Sequence, residues 1–277
     1  KDPNIEIIDE IKNKNFEFGK NWQAFLNVLT SEHINEAKSS LSTFLKMESL
    51  MNKTFLDIGS GSGIHSLAAK QLGAEVTAFD YDSESVACTK ELKNRFFPTD
   101  DTWKIEQGSI LDKKYIESLG QFDISYSWGV LHHTGVLWQA LFNASITVKE
   151  EGYLFIAIYN DQGLISSLWK IVKKTYCSGS LGKFLMTVIF YPFFFISGLL
   201  IDLFSLRNPV TRFKEHKKYR GMSLIHDWKD WLGGYPFEPA NPKSIISFYD
   251  NLGFKLINYD QTKHGFGNNQ FLFQKIG

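Results

Sequence analysis

The chain has 277 residues, 43% of them hydrophobic, with 30 Lys and Arg balanced by 30 Asp and Glu. That length holds one large core, or one domain with a sizeable insertion, and the charge balance excludes a long basic nucleic-acid footprint. Two cysteines, Cys88 and Cys177, and scattered histidines at 33, 65, 216 and 264 point to neither a disulfide framework nor a metal cluster. The first thirty residues are charged and lack a continuous apolar run, which predicts no secretory leader and a cytoplasmic location.

In chain order, Ile34, Ala37, Leu41, Phe44 and Leu45 recur at helical spacing behind a cap at Thr30 or Ser31, so residues 1–48 read as N-terminal helices. Strands then alternate with helices: 54–58, 75–80, 103–107, 123–127 and 153–159, the first followed by a helix over 64–72. This alternation predicts an α/β fold with a parallel, doubly wound sheet over 49–160. Residues 161–240 are too many for an ordinary connection and predict a helical lid leaving the carboxyl end of strand five, where ligands of open α/β sheets bind. Residues 241–277 read as a helix opened by Pro242 and closed by Gly253, then strands 254–260 and 268–275.

Chemistry concentrates first at Phe55–Gly63, FLDIGSGSG. Glycines 59, 61 and 63 let the backbone bend tightly and approach a ligand with no Cβ in the way, and the helix after them directs N-terminal amides at it. Asp80 ends the second strand, where a carboxylate takes both hydroxyls of a ribose. The spacing is G-x-G-x-G, with Ile64 where a dinucleotide fingerprint needs its last glycine. Asp57 adds negative charge beside the loop, which repels a pyrophosphate and favours a cationic ligand.

In these residues the chain resembles the class I S-adenosylmethionine-dependent methyltransferases, including ubiquinone-pathway and polysaccharide-type small-molecule O-methyltransferases. The resemblance covers about residues 50–160 and 242–276, with five motifs in the family's order, and implies a seven-stranded Rossmann-like sheet ending in an antiparallel hairpin. It implies S-adenosyl-L-methionine as cofactor, with S-adenosyl-L-homocysteine as product. Asp57, Gly59, Ser60, Gly61 and Gly63 then face the amino-acid end, Asp80 with Tyr81 the ribose, and Ser109 with Ile110 the adenine. Trp128, after strand four, lies along the same site. Trp22, in FGKNW, is similar to the aromatic segment that closes over the cofactor in relatives acting on small molecules; helix packing explains it nearly as well. SYSWGV, residues 125–130, lacks the Pro-Pro-aromatic tetrapeptide of amino-methylating nucleic-acid enzymes.

Methyl transfer to a hydroxyl needs an aligned acceptor, exclusion of water and a base. His133, then His132, in the loop after strand four are the first candidates for that base; a structural or cofactor-edge role for the pair competes. RGMSLIHDWKDWLGGYPFE, residues 220–238, offers His226 as an alternative base, and Arg220, Asp227, Trp231 and Tyr235 as acceptor contacts, joined by Tyr159 and Asn269. The competing reading is that Trp228, Trp231 and Phe237 anchor the insertion and that 265–269 is a turn.

Residues 184–201 carry no charge, with Lys183 before and Asp202 after, while 170–220 hold ten Lys or Arg (170, 173, 174, 183, 207, 212, 214, 217, 218, 220) against Asp202 and Glu215. A single membrane crossing would part the last hairpin from its sheet, and Pro192 would disturb the middle of a span. A buried helix pair or a homodimer face is one reading. Peripheral contact with a membrane, including the inner membrane face, is the other. The function expected is O-methylation of a small-molecule hydroxyl, a sugar or nucleotide-linked sugar, with a phenolic or quinone-like lipid as the alternative acceptor and a non-catalytic cofactor-binding scaffold as the alternative class.

Overall fold

A computed structural model describes residues 19–206, 208, 209, 211, 224–262 and 267–276. Of the N-terminal helices expected over 1–48, the part before residue 19 lies outside the described residues. Beyond it run the helices Gly19–Leu26 and Ser31–Leu45. Thr30 caps the second: its side chain accepts from the His33 amide while the His33 ring accepts from the Thr30 amide, a reciprocal box that satisfies two orphan donors.

The sheet has seven strands, β1 Thr54–Ile58, β2 Glu75–Asp80, β3 Trp103–Gln107, β4 Phe122–Trp128, β5 Val148–Tyr159, β6 Phe254–Asp260 and β7 Asn268–Lys275. Their order is β3-β2-β1-β4-β5-β7-β6, parallel from β3 through β5, with β7 antiparallel to both β5 and β6. Side chains alternate across it with period two. Phe55, Ile124, Tyr126, Phe155 and Leu272 enter one apolar layer, under the helices Ser31–Leu45, Ile64–Gln71 and Ser83–Phe96. Leu56, Ile58, Leu154, Ile156, Phe271 and Phe273 enter the other, under Lys113–Leu119, Leu137–Ile146 and Pro242–Asp250. At the amino edge Asp123 ties three strands: its Oδ2 accepts from the Thr54 amide at 2.8 Å, the Thr54 hydroxyl at 2.7 Å and the Lys149 ammonium at 2.9 Å. Those donors hold its pKa down to about 2 against the opposing effect of desolvation.

Several element boundaries differ from expectation, β4 being one residue longer at each end than 123–127. β5 starts at Val148, not 153, because a bulge shifts the register from Phe122↔Val148 to Ile124↔Tyr153 and lets KEEG stay in the sheet. The helix 64–72 ends at Gln71, and the helix at 242 ends at Asp250, three residues before Gly253 turns the chain with φ +78°.

Chain contacts divide the described residues into a core of 19–162 with 238–276 and a second unit within Gly163–Phe237. The second unit contains the helices Leu164–Tyr176, Ser180–Phe204 and Leu224–Gly233. The expected buried helix pair around Pro192 is instead one continuous 25-residue helix, largely exposed. One lost amide bond, about 3 kcal/mol, does not break a helix with uninterrupted turns on both sides. Within residues 220–238 the stretch Leu224–Gly233 is helical, since Leu224, Trp228, Trp231 and Leu232 recur at helical spacing.

Candidate active site

All five parallel strands end at one edge of the sheet, and the order reverses between β1 and β4, the switch point at which open α/β sheets leave a crevice. The loops after β1 and β4 meet there. A Cβ on Gly59, whose φ is +76°, would stand 2.5 Å from the Val130 side chain, so only glycine allows this approach. Gly63, φ +80°, is equally constrained: its Cβ would fall 2.8 Å from the Thr89 backbone. Ser60 Oγ reaches Thr89 Oγ1 at 2.9 Å from the same loop.

Two carboxylates organise the turn from inside. The Gly59 and Ser60 amides donate to the Phe79 carbonyl, and the Gly61 amide donates to Asp80 Oδ2 at 2.9 Å, so the end of β2 holds the glycine loop in place. The other oxygen of Asp80 accepts from the Asp82 amide at 2.9 Å. Asp57 is 2% exposed and accepts from the Ser66 hydroxyl at 2.6 Å. Its backbone bond from Ser66 sets the carboxylate at the first turn of the helix Ile64–Gln71. That corrects the simplest sequence picture, since the Ser66 amide serves Asp57 and not a ligand.

Burial pushes the Asp57 carboxyl up to about 7, against the Ser66 bonds and with help from Asp80, and burial pushes Asp80 up to about 6. Among the described residues neither carboxylate has an ion-pair partner. A ligand bringing a positive charge or hydroxyl donors to this place recovers the cost of burying them. Trp22 stands over the loop, its indole Nε1 3.1 Å from where a Gly61 Cβ would be, and packs edge-on to Phe25.

The other expected cofactor contacts follow along the same edge. Tyr81 is half-exposed after Asp80, and its carbonyl accepts from Gln107. Ser109 Oγ accepts from the Leu111 amide, while Ile110 is buried with its carbonyl fixed by Asn143 Nδ2 at 2.7 Å. Trp128 ends β4 and is 44% exposed.

After β4 the short helix Leu131–His133 carries both candidate bases. His132 is fully buried and tightly packed: its ring lies 4.2 Å from that of Tyr159, its Nδ1 accepts from the Tyr159 amide, and its carbonyl accepts from the Glu238 amide. Glu238 in turn accepts from the Leu137 amide at the next helix N-terminus. His133 is half-buried, edge-on to Tyr159 at 5.6 Å, and is therefore the better placed of the pair to meet a substrate.

Asn269 is 1% exposed, and its amide is used at both ends, donating to Asn160 Oδ1 and accepting from the Thr262 amide. Its neighbour Asn268, which sequence reasoning missed, carries the unused acceptor. Its Oδ1 is buried with no hydrogen-bond partner among the described residues, and its Nδ2 stands 4.0 Å from where a Gly129 Cβ would be. Strand alternation was the signal that separates the two.

The second expected constellation falls in the other unit. Arg220 lies outside the described residues, as do 265 and 266, and His226 is placed only as a position on the helix Leu224–Gly233. Asp227 and Trp231 are half-buried on that helix, and Tyr235 follows it. The Trp231 ring packs on Trp169 and Phe237 and lies 4.0 Å below the Lys173 ammonium, which donates to the Trp231 carbonyl. Burial pulls Lys173 down to about 7. Trp231 is thus committed to packing inside its own unit.

Residues 56–156 match the family described as a methyltransferase domain. A ribosomal protein L11 methyltransferase of Helicobacter hepaticus is 40% identical over 70 residues, 25% of this chain and 21% of that protein. One from Streptococcus pneumoniae is 31% identical over 136 residues, 49% and 38% of the two chains. The chain's match therefore spans well under half the length of these curated relatives. Magnesium protoporphyrin IX methyltransferase from Synechocystis PCC 6803 with bound SAH (S-adenosylhomocysteine) aligns with TM-score 0.52 at 12% identity, covering 88% of this chain and 83% of that one. An O-methyltransferase family protein from Burkholderia thailandensis gives 0.54 at 9%, covering 88% and 57%. At these identities the likeness is one of fold.

Two predictions follow from the loop and its carboxylates. Gly63→Ala, which meets rigid backbone, is expected to cost more stability in urea than Gly61→Ala, which meets only the Trp22 side chain; the reverse order would contradict the packing. In the folded chain Asp57 and Asp80 keep protons that an unfolded chain releases near pH 4. Well below pH 4 both states hold these protons and no pH-dependent penalty arises, and stability falls as pH rises from about 4 toward about 7. Urea titrations at pH 5 and pH 8 should show a smaller loss in Asp57→Asn than in the unsubstituted chain. Equal losses would place the ionisation elsewhere.

Proposed function

We propose that this chain, whose residues 56–156 are a methyltransferase domain of the class I fold, transfers a methyl group from S-adenosylmethionine to a hydroxyl of a small molecule. A sugar or nucleotide-linked sugar is the first acceptor class. The observation that carries the reading is the pair of desolvated, cation-free carboxylates under a glycine loop at the β1/β4 switch point. When bound, S-adenosylmethionine supplies an electrophilic methyl on a cationic sulfur.

Each residue set has its task. Gly59, Gly61 and Gly63 let backbone approach the amino-acid end, and Asp57 offsets positive charge. Asp80 takes ribose hydroxyls alongside its two amide donors, while Ser109 and Ile110 edge the adenine. Trp22 over Gly61 excludes water from the loop. His133 takes the acceptor proton on a ring nitrogen as the new bond forms. His132 and Tyr159 hold His133 in orientation through ring contacts at 4.5 and 5.6 Å. The basic character of 170–220 supports an anionic acceptor such as a nucleotide-linked sugar.

A second reading, transfer to a phenolic or quinone-like lipid, is favoured by one observation, the exposed apolar helix Ser180–Phe204. The relatives named for ribosomal protein L11 align over too little of their length to bring their acceptor here.

The test is a screen for methyl transfer to nucleotide sugars, phenols and quinols, repeated with His133→Ala. Turnover of a sugar hydroxyl is expected, with kcat lowered on the order of a hundredfold in the variant and donor affinity unchanged. Activity only on quinols would favour the second acceptor. Tight donor binding with no turnover of any of them would leave a cofactor-binding scaffold, and an unchanged rate in His133→Ala would move the base to another group.

A further inference from the structure

The helix Ser180–Phe204, about 37 Å long at 1.5 Å per residue, presents an outward surface with no polar face. Inward, Met186, Phe190, Tyr191 and Phe194 pack on Trp169 and Trp228 within the same unit. Outward, Phe184, Val188, Ile189, Phe193, Ile196 and Leu200 are each 48–63% exposed. A surface helix of a water-soluble unit carries charge on that side, yet none occurs between Lys183 and Asp202. The preceding helix Leu164–Tyr176 adds Leu164, Leu168 and Ile171, at intervals of four and three, exposed by 89, 59 and 63%. Contiguous exposed patches of this extent mark an interaction site.

Charge decides what covers it. Lys170, Lys174 and Lys183 are exposed along these two helices, and the following sequence 207–220 adds Arg207, Arg212, Lys214, Lys217, Lys218 and Arg220 against Glu215. A two-fold contact between copies of this chain would set like charges against like. A negatively charged lipid surface meets both features, taking the apolar side chains below its headgroups and the ammonium groups at them. The helix cannot simply cross: β5 precedes it, β7 follows it, and the two are hydrogen-bonded neighbours in one sheet.

We propose that the helix Ser180–Phe204, with the exposed face of Leu164–Tyr176, docks in the plane of an anionic membrane surface. The inference uses no residue of the glycine loop and stands whether or not methyl transfer is the reaction. Its test is co-sedimentation of the full chain with phosphatidylcholine vesicles and with vesicles in which about a third of the lipid is phosphatidylglycerol, an anionic fraction large enough to draw a basic segment. At least about tenfold greater binding to the anionic vesicles is expected, weakened by added salt. The triple substitution Ile189→Ser, Phe193→Ser and Ile196→Ser, at exposed positions, should lower it by about tenfold with an unchanged far-ultraviolet circular dichroism spectrum. Absence of binding at either composition, or equal binding by the triple variant, would overturn the proposal. So would light scattering that finds a dimer dissociated by the same substitutions, which would assign the face to a second copy.

Discussion

Two acids taken out of water, with hydroxyl and amide donors but no cation partner among the described residues, organise the edge of this sheet. Burying a carboxylate without a partner is costly, and here the cost is concentrated at the ends of β1 and β2, where Asp57 rises to about 7 and Asp80 to about 6. Both also have structural work. Asp57 receives Ser66 at the start of the helix Ile64–Gln71, and Asp80 receives the Gly61 amide, so the two carboxylates shape the glycine loop between them.

The rest of the core holds that arrangement still. Apolar layers on both faces fix the sheet, so that the carboxyl ends of β1, β2, β4 and β5 present their loops at one edge. Val130 against Gly59 and Thr89 against Gly63 set the loop spacing by direct contact. Farther along the edge, the Glu238 amide on the His132 carbonyl and the buried His132 ring on Tyr159 fix the segment that carries His133. The insertion is built differently. Its interior is an aromatic cluster of Trp169, Phe190, Phe194, Trp228 and Trp231, with the buried Lys173 over Trp231 and Phe237, and its long helices expose apolar side chains beside Lys170, Lys174 and Lys183.

Much of this was readable from residues alone, for physical reasons that differ by element. The strands were visible because buried parallel strands read as short apolar runs, and the loop because its glycines need positive φ. What escaped were partnerships across sequence distance: Ser66 with Asp57, Thr89 with Gly63, Asn143 with the Ile110 carbonyl, and Glu238 with His132. Pattern along the chain does not encode which distant side chain fills a gap. Asn269 was chosen over Asn268 because two adjacent amides look alike until the strand assigns each a face. Pro192 was expected to disturb the middle of a span, whereas the 25-residue helix absorbs one missing donor.

The central claim is that the carboxylate-flanked glycine loop receives a donor with a ribose and an ammonium-bearing amino-acid end. Isothermal calorimetry with S-adenosylhomocysteine near pH 6, in two buffers of different ionisation enthalpy, tests it directly. The account predicts binding accompanied by proton release, because ligand donors favour the ionised forms of Asp57 and Asp80, with both effects reduced in Asp80→Asn. No heat of binding for this compound, together with association of a nicotinamide dinucleotide, would contradict it.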